Sequence, residues 1–279
     1  MRGGGSSSDG RVQPAVVVPP PRKQGFDARA AYRWAGRQVA LGPRPAGSAA
    51  QRRAAALLVR ALPQGRFQPI GHGLRNIVGS LPGRGRPVLV AAHYDTTPVP
   101  GYLGANNSAA AVGAVIELAR ALGRDDVAAR SRPVRFLLTD GEEAPDYPPK
   151  DFLATGLRGS KYAAAHPPRA AYVIVLDFIG QRGIRLRREA GFSDPKLWSR
   201  LRAAARRTGE SAVFPPGTQQ VIYDDHKPFA DRGVPSIDLI DFDYPCWQKP
   251  CDTMDKLSVR SIDAVGQTVL ALVRDLRGA

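Results

Sequence analysis

Four clusters of imidazole and carboxylate residues are the parts of this 279-residue sequence equipped for chemistry: His93-Tyr94-Asp95, Asp140-Gly141-Glu142-Glu143, Asp177, and Asp224-Asp225-His226. Imidazole nitrogen and carboxylate oxygen bind divalent ions such as zinc, and the same groups carry protons in acyl-transfer reactions. His93 and Asp95 share a face if they lie on a strand, so Asp95 can orient the ring while His93 faces a metal. Glu142 and Glu143 repel one another and cost desolvation unless a cation or a proton compensates. Taken singly, each cluster has a plainer reading, as a hydrogen-bonded structural histidine or an exposed acidic loop.

Placement favours the chemical reading. Apolar runs over 88–92, 134–138 and 172–176 lead directly into the first three clusters, and a run over 236–240 carries Asp238. In open α/β sheets the site lies outside the carboxyl ends of the strands. Further strand pattern lies near Ile77, and helical pattern covers 26–41, 49–62, 108–122, 160–165, 195–208 and 259–277. Asp194-Pro195 and Ser258 read as helix starts. This alternation predicts one α/β domain, a twisted and mostly parallel sheet with helices on both faces.

With those residues in view, the chain from Phe26 to Leu276 resembles the zinc peptidase M28 family, and within it is similar to the glutaminyl-peptide cyclotransferase branch. The resemblance rests on Ala92-His93-Tyr94-Asp95, Gly104-Ala105, Asp140-Gly141-Glu142-Glu143-Ala144, Gly159-Ser160, Leu176-Asp177-Phe178-Ile179-Gly180 and Asp224-Asp225-His226-Lys227-Pro228-Phe229. The cyclotransferase flavour comes from the doubled aspartate before His226, from Arg232-Gly233-Val234-Pro235, and from Trp247. It implies a zinc-aminopeptidase-like fold with a mixed sheet and one or two zinc ions.

Two residues depart from the family pattern. Asn107 stands where the pattern has a metal-binding aspartate, and Gln248 stands where Trp-His-x-x-x-Asp has its zinc histidine, in Cys246-Trp247-Gln248-Lys249-Pro250-Cys251-Asp252. A neutral amide oxygen competes poorly for zinc against imidazole, thiolate and carboxylate. Of the cyclotransferase zinc ligands at Asn107, Glu143 and Gln248, Glu143 alone is a strong one. The second peptidase subsite, at His93, Asn107 and Asp177, keeps two good ligands, so a metal is expected nearer His93 and Asp177. Cys246 or Cys251 offers a thiolate in place of the lost imidazole.

For a cyclotransferase the resemblance implies that zinc polarises the side-chain carbonyl of an N-terminal glutamine while Glu142 moves the proton from the amine to departing ammonia. Asp177 and Asp224 would share a hydrogen-bond network with Glu142. Trp247 would wall the substrate, Tyr147 would serve as a lid aromatic, and His226 would belong to the wall of the site without binding metal. In an aminopeptidase the same Glu142 activates a metal-bound water. A third reading is a metal-poor, non-catalytic descendant that binds peptide or protein N-termini.

Composition sets limits. Hydrophobic residues make up 43% of the chain, enough for a sizeable core, and no apolar run approaches the roughly 20 residues of a membrane span. Residues 1–24 are rich in Gly, Ser and Pro and read as a disordered tail before a domain over 25–279. The apolar stretch 15–18 is too short for a signal peptide, so the sequence itself points to the cytoplasm and the resemblance to export. The net charge of +15 is spread along the chain, as at Arg200, Arg202, Arg206 and Arg207, which favours a solvated basic surface over specific nucleic-acid binding. An acidic peptide preference and a monomeric state are the corollaries. The two cysteines close a small disulfide in an oxidising compartment and stay reduced in the cytosol. His72 and His166 lie in turn-like contexts without a carboxylate partner in sequence.

Overall fold

The structure is a computed structural model that describes residues 25–125 and 131–278; the expected tail over 1–24 lies outside the described residues. Among the described residues there are eight strands: β1 Arg66–Gly71, β2 Leu74–Leu81, β3 Val88–His93, β4 Val134–Thr139, β5 Tyr172–Leu176, β6 Arg188–Glu189, β7 Thr218–Gln219 and β8 Ser236–Leu239. The helices are α1 Ala28–Val39, α2 Ala49–Leu58, α3 Ala111–Leu122, α4 Phe152–Thr155, α5 Arg158–Ala165, α6 Pro195–Thr208, α7 Lys227–Ala230 and α8 Val259–Arg277.

Six strands form one mixed sheet in the order β1-β2-β4-β3-β5-β8. β4, β3, β5 and β8 run parallel, with His93 opposite Thr139, Ala91 opposite Val175 and Leu176 opposite Leu239. All four therefore point their carboxyl ends at the same edge. β1 and β2 join antiparallel through a hairpin whose turn residues His72 and Gly73 both have positive φ, 54° and 75°, as a two-residue turn of this twist requires.

Strand periodicity explains the two helical layers. Val88, Val90 and Ala92 of β3 pack with Ala31 and Ala35 of α1, Val112 and Ile116 of α3, and Val265 and Val269 of α8. Leu89 and Ala91 face the other side, against Ala164 and Phe229. Burying such a side chain contributes roughly 1.5–3 kcal/mol, so both faces of the parallel strands are apolar. Gly113 lets α1 and α3 approach: a Cβ there would lie 2.3 Å from the Ala31 carbonyl oxygen.

α6 and α8 begin where the caps predict, with Asp194 accepting from the Leu197 N–H at 2.6 Å and Ser258 from the Ser261 N–H at 3.3 Å. The helix expected over 108–122 is present as α3 together with a π-helical lead-in, Ala105–Ala110, in which Asn107 (φ −108°, ψ 88°) and Ser108 (φ −132°, ψ 35°) leave helical geometry. Asp252 holds this turn, its carboxylate taking the backbone N–H groups of Asn106 and Asn107 at 2.9 and 3.1 Å.

The α6 arginines lie partly against their own chain: Arg200 stacks over Tyr172, Arg202 donates to the Phe214 carbonyl and Arg207 pairs with Asp275. Among the described residues, no helix is long and apolar enough to cross a membrane.

Glu117 on α3 is buried, and burial outweighs its pairing with Arg120 at 3.1 Å, raising its carboxyl above 4.5. A carboxyl raised by folding contributes stability that is complete below its unfolded pKa and lost as pH rises through its folded pKa. Glu117→Gln is therefore expected to be more stable than the parent at about pH 7, with the gain vanishing towards about pH 3.5. Urea unfolding of both proteins at the two pH values checks this; an equal difference at both would show that the charge is not the cause.

Candidate functional site

The carboxyl ends of the parallel strands bring the predicted clusters together. His93 ends β3, the Asp140–Glu143 loop follows β4, Asp177 follows β5, and the Asp224–His226 turn precedes α7 beside β8. His93, Asp95, Glu142, Glu143, Asp177, Asp224 and His226 are all buried. His93, Glu142 and Glu143 each offer a ligand atom within 4.8 Å of the others, a group that could hold a metal ion.

The loop carrying the two glutamates is pinned through its backbone. Asp95 accepts from the Glu142 and Glu143 N–H groups at 3.3 and 3.2 Å, Arg158 donates to the Glu143 carbonyl at 2.9 Å, and the Leu157 N–H donates to the Glu142 carbonyl at 2.8 Å. Asp95 thus fastens this loop, and stands 3.5 Å from His93 Nδ1. Asp140 turns away, accepting from the Arg75 N–H and the Tyr94 hydroxyl at 2.8 and 3.0 Å.

The two amides that depart from the family pattern are knitted into the floor. His93 Nε2 lies 2.6 Å from Asn107 Oδ1, and an amide oxygen can only accept, so the ring nitrogen carries the hydrogen. Asn107 Nδ2 donates to Glu143 Oε1 at 2.9 Å, and Gln248 Nε2 donates to Glu143 Oε2 at 3.3 Å. Asp177 Oδ2 lies 3.8 Å from His93 Nε2, while its Oδ1 accepts from the Phe178 N–H at 2.7 Å. Asp224 accepts from the Asp225 N–H. What joins Asp224 to Glu142 is charge, and the contacts of Asp177 and Asp224 described here run to these other partners.

Crowding and burial dominate the electrostatics. Burial raises Glu142 well above the usual carboxylate range; His93 opposes it, and Glu143, Asp224 and Asp225 add to it. Burial pushes Glu143 up to about 8, Asp177 to about 6 and Asp225 to about 7. For His93 burial works downward, but Asp177 and Asp95 outweigh it and raise the imidazole well above 6.5.

Above this floor opens a cleft of about 370 Å³. Asn107, Glu142, Glu143, Asp177 and Asp224 line its base; Tyr147, Phe152, Phe178, Tyr223, Phe242 and Trp247 line its sides. Trp247 packs on Phe242 with ring centroids 4.9 Å apart, and Tyr147 is 45% exposed at the mouth. His226 is fully buried and does not border the cleft; it sits behind it, against Glu189. Cys246 and Cys251 are joined in a disulfide that brackets Trp247 and Gln248, so neither is available as a thiolate ligand, which corrects that expectation.

Four residues shape the site without having been given a role from the sequence. Asp252 shapes the Asn107 turn and also accepts from the hydroxyls of Tyr102 and Tyr244 at 3.2 and 2.8 Å. Arg44 is completely buried and donates to the carbonyls of Gln38, Gly42 and Leu103 at 3.1, 2.9 and 3.0 Å, beneath the same turn. Phe178 and Phe242 supply aromatic wall. Asp252 and Phe178 lie inside the quoted motifs and Phe242 follows β8 closely, so these carried a signal, whereas Arg44 has no local pattern.

A profile of peptidase family M28 matches residues 76–273, the stretch that carries all four clusters. A glutaminyl-peptide cyclotransferase-like protein of Mus musculus is 28% identical over 238 residues, covering 73% of this chain and 61% of that protein, so the match spans less than two thirds of the relative's length. The glutaminyl cyclase of Porphyromonas gingivalis superposes with a TM-score of 0.80 at 28% identity, covering 91% of this chain and 99% of that one. A leucine aminopeptidase precursor from Bacteroides thetaiotaomicron superposes with a TM-score of 0.82 at 26% identity, covering 92% and 99%. These relatives are enzymes, and they represent both catalytic types that the motifs imply. Strand-end clusters, sheet order and sequence match agree that the chain belongs to peptidase family M28.

Proposed function

We propose that the protein binds the N-terminal residue of peptides and acts on N-terminal glutamine, closing its side-chain amide onto the α-amine with release of ammonia. The observation that carries this reading is the cleft itself, an acidic floor beneath an aromatic wall. Such a floor suits an α-ammonium group, and the wall suits an uncharged side chain and peptide backbone.

Zinc is the family's metal, and its fit is decided by the donor set. At the family position, Asn107 and Gln248 turn amide N–H groups towards Glu143 and occupy both of its oxygens. A cation there would meet two donors and one carboxylate. At the neighbouring subsite His93 Nε2 carries a hydrogen towards Asn107 Oδ1. His93, Glu142 and Glu143 stand close enough to share an ion, but with these hydrogens and amides engaging His93 and Glu143 the front of the site does not fit it in this arrangement.

Once the α-ammonium has lost a proton to solvent, the neutral amine attacks the side-chain carbonyl carbon; Glu142 takes the proton that this nitrogen sheds as the new C–N bond forms and gives it to the amide nitrogen, which leaves as ammonia. Burial and the neighbouring carboxylates raise its pKa, which helps it to hold that proton between the two nitrogens. Gln248 lines the cleft and spends one Nε2 hydrogen on Glu143, leaving its second for the substrate carbonyl oxygen.

The grip of both amides on Glu143 favours a second reading, binding of N-termini without turnover. One assay separates the possibilities: incubation with peptides beginning in glutamine or leucine, followed for ammonia, for free amino acid and for binding by Trp247 fluorescence. Ammonia release supports the proposal. Free leucine would indicate the aminopeptidase instead, and binding alone the non-catalytic descendant.

Glu142→Gln is expected to lower kcat by roughly 100- to 10,000-fold with little change in KM. Ammonia release at an unchanged rate in that variant would end the assignment of Glu142. Trp247→Ala is expected to raise KM by about tenfold. Replacing both cysteines by serine frees a loop of sequence separation 5, costing about 2 kcal/mol by the loop-closure estimate. Its expected kinetic signature is a higher KM at nearly constant kcat, measured against the parent protein under non-reducing conditions.

A further inference from the structure

A second group of ligand-type atoms lies behind the cleft floor. Asp224, His226 and Asp238 each place one such atom within 4.8 Å of the others, and all three are buried. Their order in the chain is unremarkable, since Asp224 and His226 come from the turn before α7 and Asp238 from the middle of β8.

The imidazole is oriented from outside the group. His226 Nε2 lies 3.1 Å from Glu189 Oε2. That carboxylate also accepts from the N–H groups of Phe192 and Ser193 at 2.8 and 2.9 Å. Burial alone would raise the Glu189 carboxyl, but His226 and the N–H groups of Phe192 and Gly191 outweigh it and hold it down at about 2. Glu189 is thus an anion that fixes a hydrogen on Nε2 and leaves Nδ1 as the open nitrogen.

That nitrogen stands 3.8 Å from Asp238 Oδ2, beyond hydrogen-bond reach, and among the described residues neither it nor Asp238 Oδ1, Asp238 Oδ2 or Asp224 Oδ2 has a hydrogen-bond partner; burial, with Asp224 and Asp177 nearby, raises the Asp238 carboxyl well above its usual range. His226 and Asp238 are fully buried, and Asp224 is 3% exposed. Buried carboxylates without partners are expensive, and buried charges are ordinarily paired or bound to a metal. The front group differs: both oxygens of Glu143 and Nε2 of His93 are engaged by amides.

We propose that His226 Nδ1 and the carboxylates of Asp224 and Asp238 bind a divalent cation of the zinc or manganese class, with Glu189 as the residue that positions the imidazole. One borderline nitrogen and several hard oxygens suit these ions, and two carboxylates neutralise a dication. Asp224 also lines the cleft, so the ion enters past that side chain. Once bound it ties the Asp224–His226 turn to β8. The Thr139 hydroxyl, which donates to Asp225, carries the brace on to the end of β4.

The test uses the whole chain, stripped with chelator and dialysed against Zn²⁺ or Mn²⁺. Metal content by plasma mass spectrometry and thermal unfolding are read together. The parent is expected to retain about one equivalent and to unfold at a higher temperature when loaded. Asp238→Asn and His226→Gln are expected to lose both the ion and the shift, whereas Glu143→Gln keeps both. Glu189→Gln is expected to weaken affinity by roughly 10- to 100-fold at unchanged stoichiometry. If the Asp238 and His226 variants do not fold by circular dichroism, His93→Gln decides, since the front group also holds one imidazole and two carboxylates: an ion retained in that variant supports the site and an ion lost there overturns it. Failure of the parent to retain metal would mean that a shared proton or buried water fills the space, and would overturn the proposal. So would an ion lost in Glu143→Gln and kept in Asp238→Asn.

Discussion

Six carboxylates, Asp95, Glu142, Glu143, Asp177, Asp224 and Asp238, are buried at the carboxyl-end side of four parallel strands, and burial together with like charge raises Glu142, Glu143, Asp177 and Asp238. Everything nearby answers to that repulsion. Backbone N–H groups absorb part of it at Asp95 and Asp177, amide N–H groups absorb part at Glu143, and His93 supplies an imidazole drawn upward in pKa by its acidic neighbours. The sheet can hold such a cluster because its strands are apolar on both faces and do not depend on the polar edge for their packing.

The amide-bearing segments are fixed from a distance. Asp252 sits just beyond the disulfide and grips the Asn107 turn through two backbone N–H groups, so one short segment places Gln248 and helps to place Asn107. Arg44 closes the underside of that turn with a fully buried guanidinium. The floor is consequently a clamp made of residues far apart in sequence, and the cleft wall is attached to the same clamp through Trp247.

Much of this was legible beforehand because the signals were local. β3, β4, β5 and β8 fall within one residue of the apolar runs, and α6 and α8 begin at their caps, since burial and capping act over a few residues. β1 was missed: it is an edge strand carrying Pro69, half exposed and without alternation, although His72-Gly73 is a usable hairpin signal. The break in helical geometry at Asn107 and Ser108, just ahead of α3, was not legible because the residue that holds the turn, Asp252, stands 145 residues from Asn107. Glu189 sits in an arginine-rich stretch that reads as surface, and its pairing with His226 37 residues later leaves no local trace.

Asn107 presents an acceptor to His93 and a donor to Glu143 from the two ends of one amide. A carboxylate has nearly the same shape but no donor, so in its place the contact with Glu143 would become a repulsion between like charges. Electroneutrality, rather than shape, is therefore what this position controls. Exchanging that single atom would change the charge of the floor and leave the outline of the side chain nearly as it is.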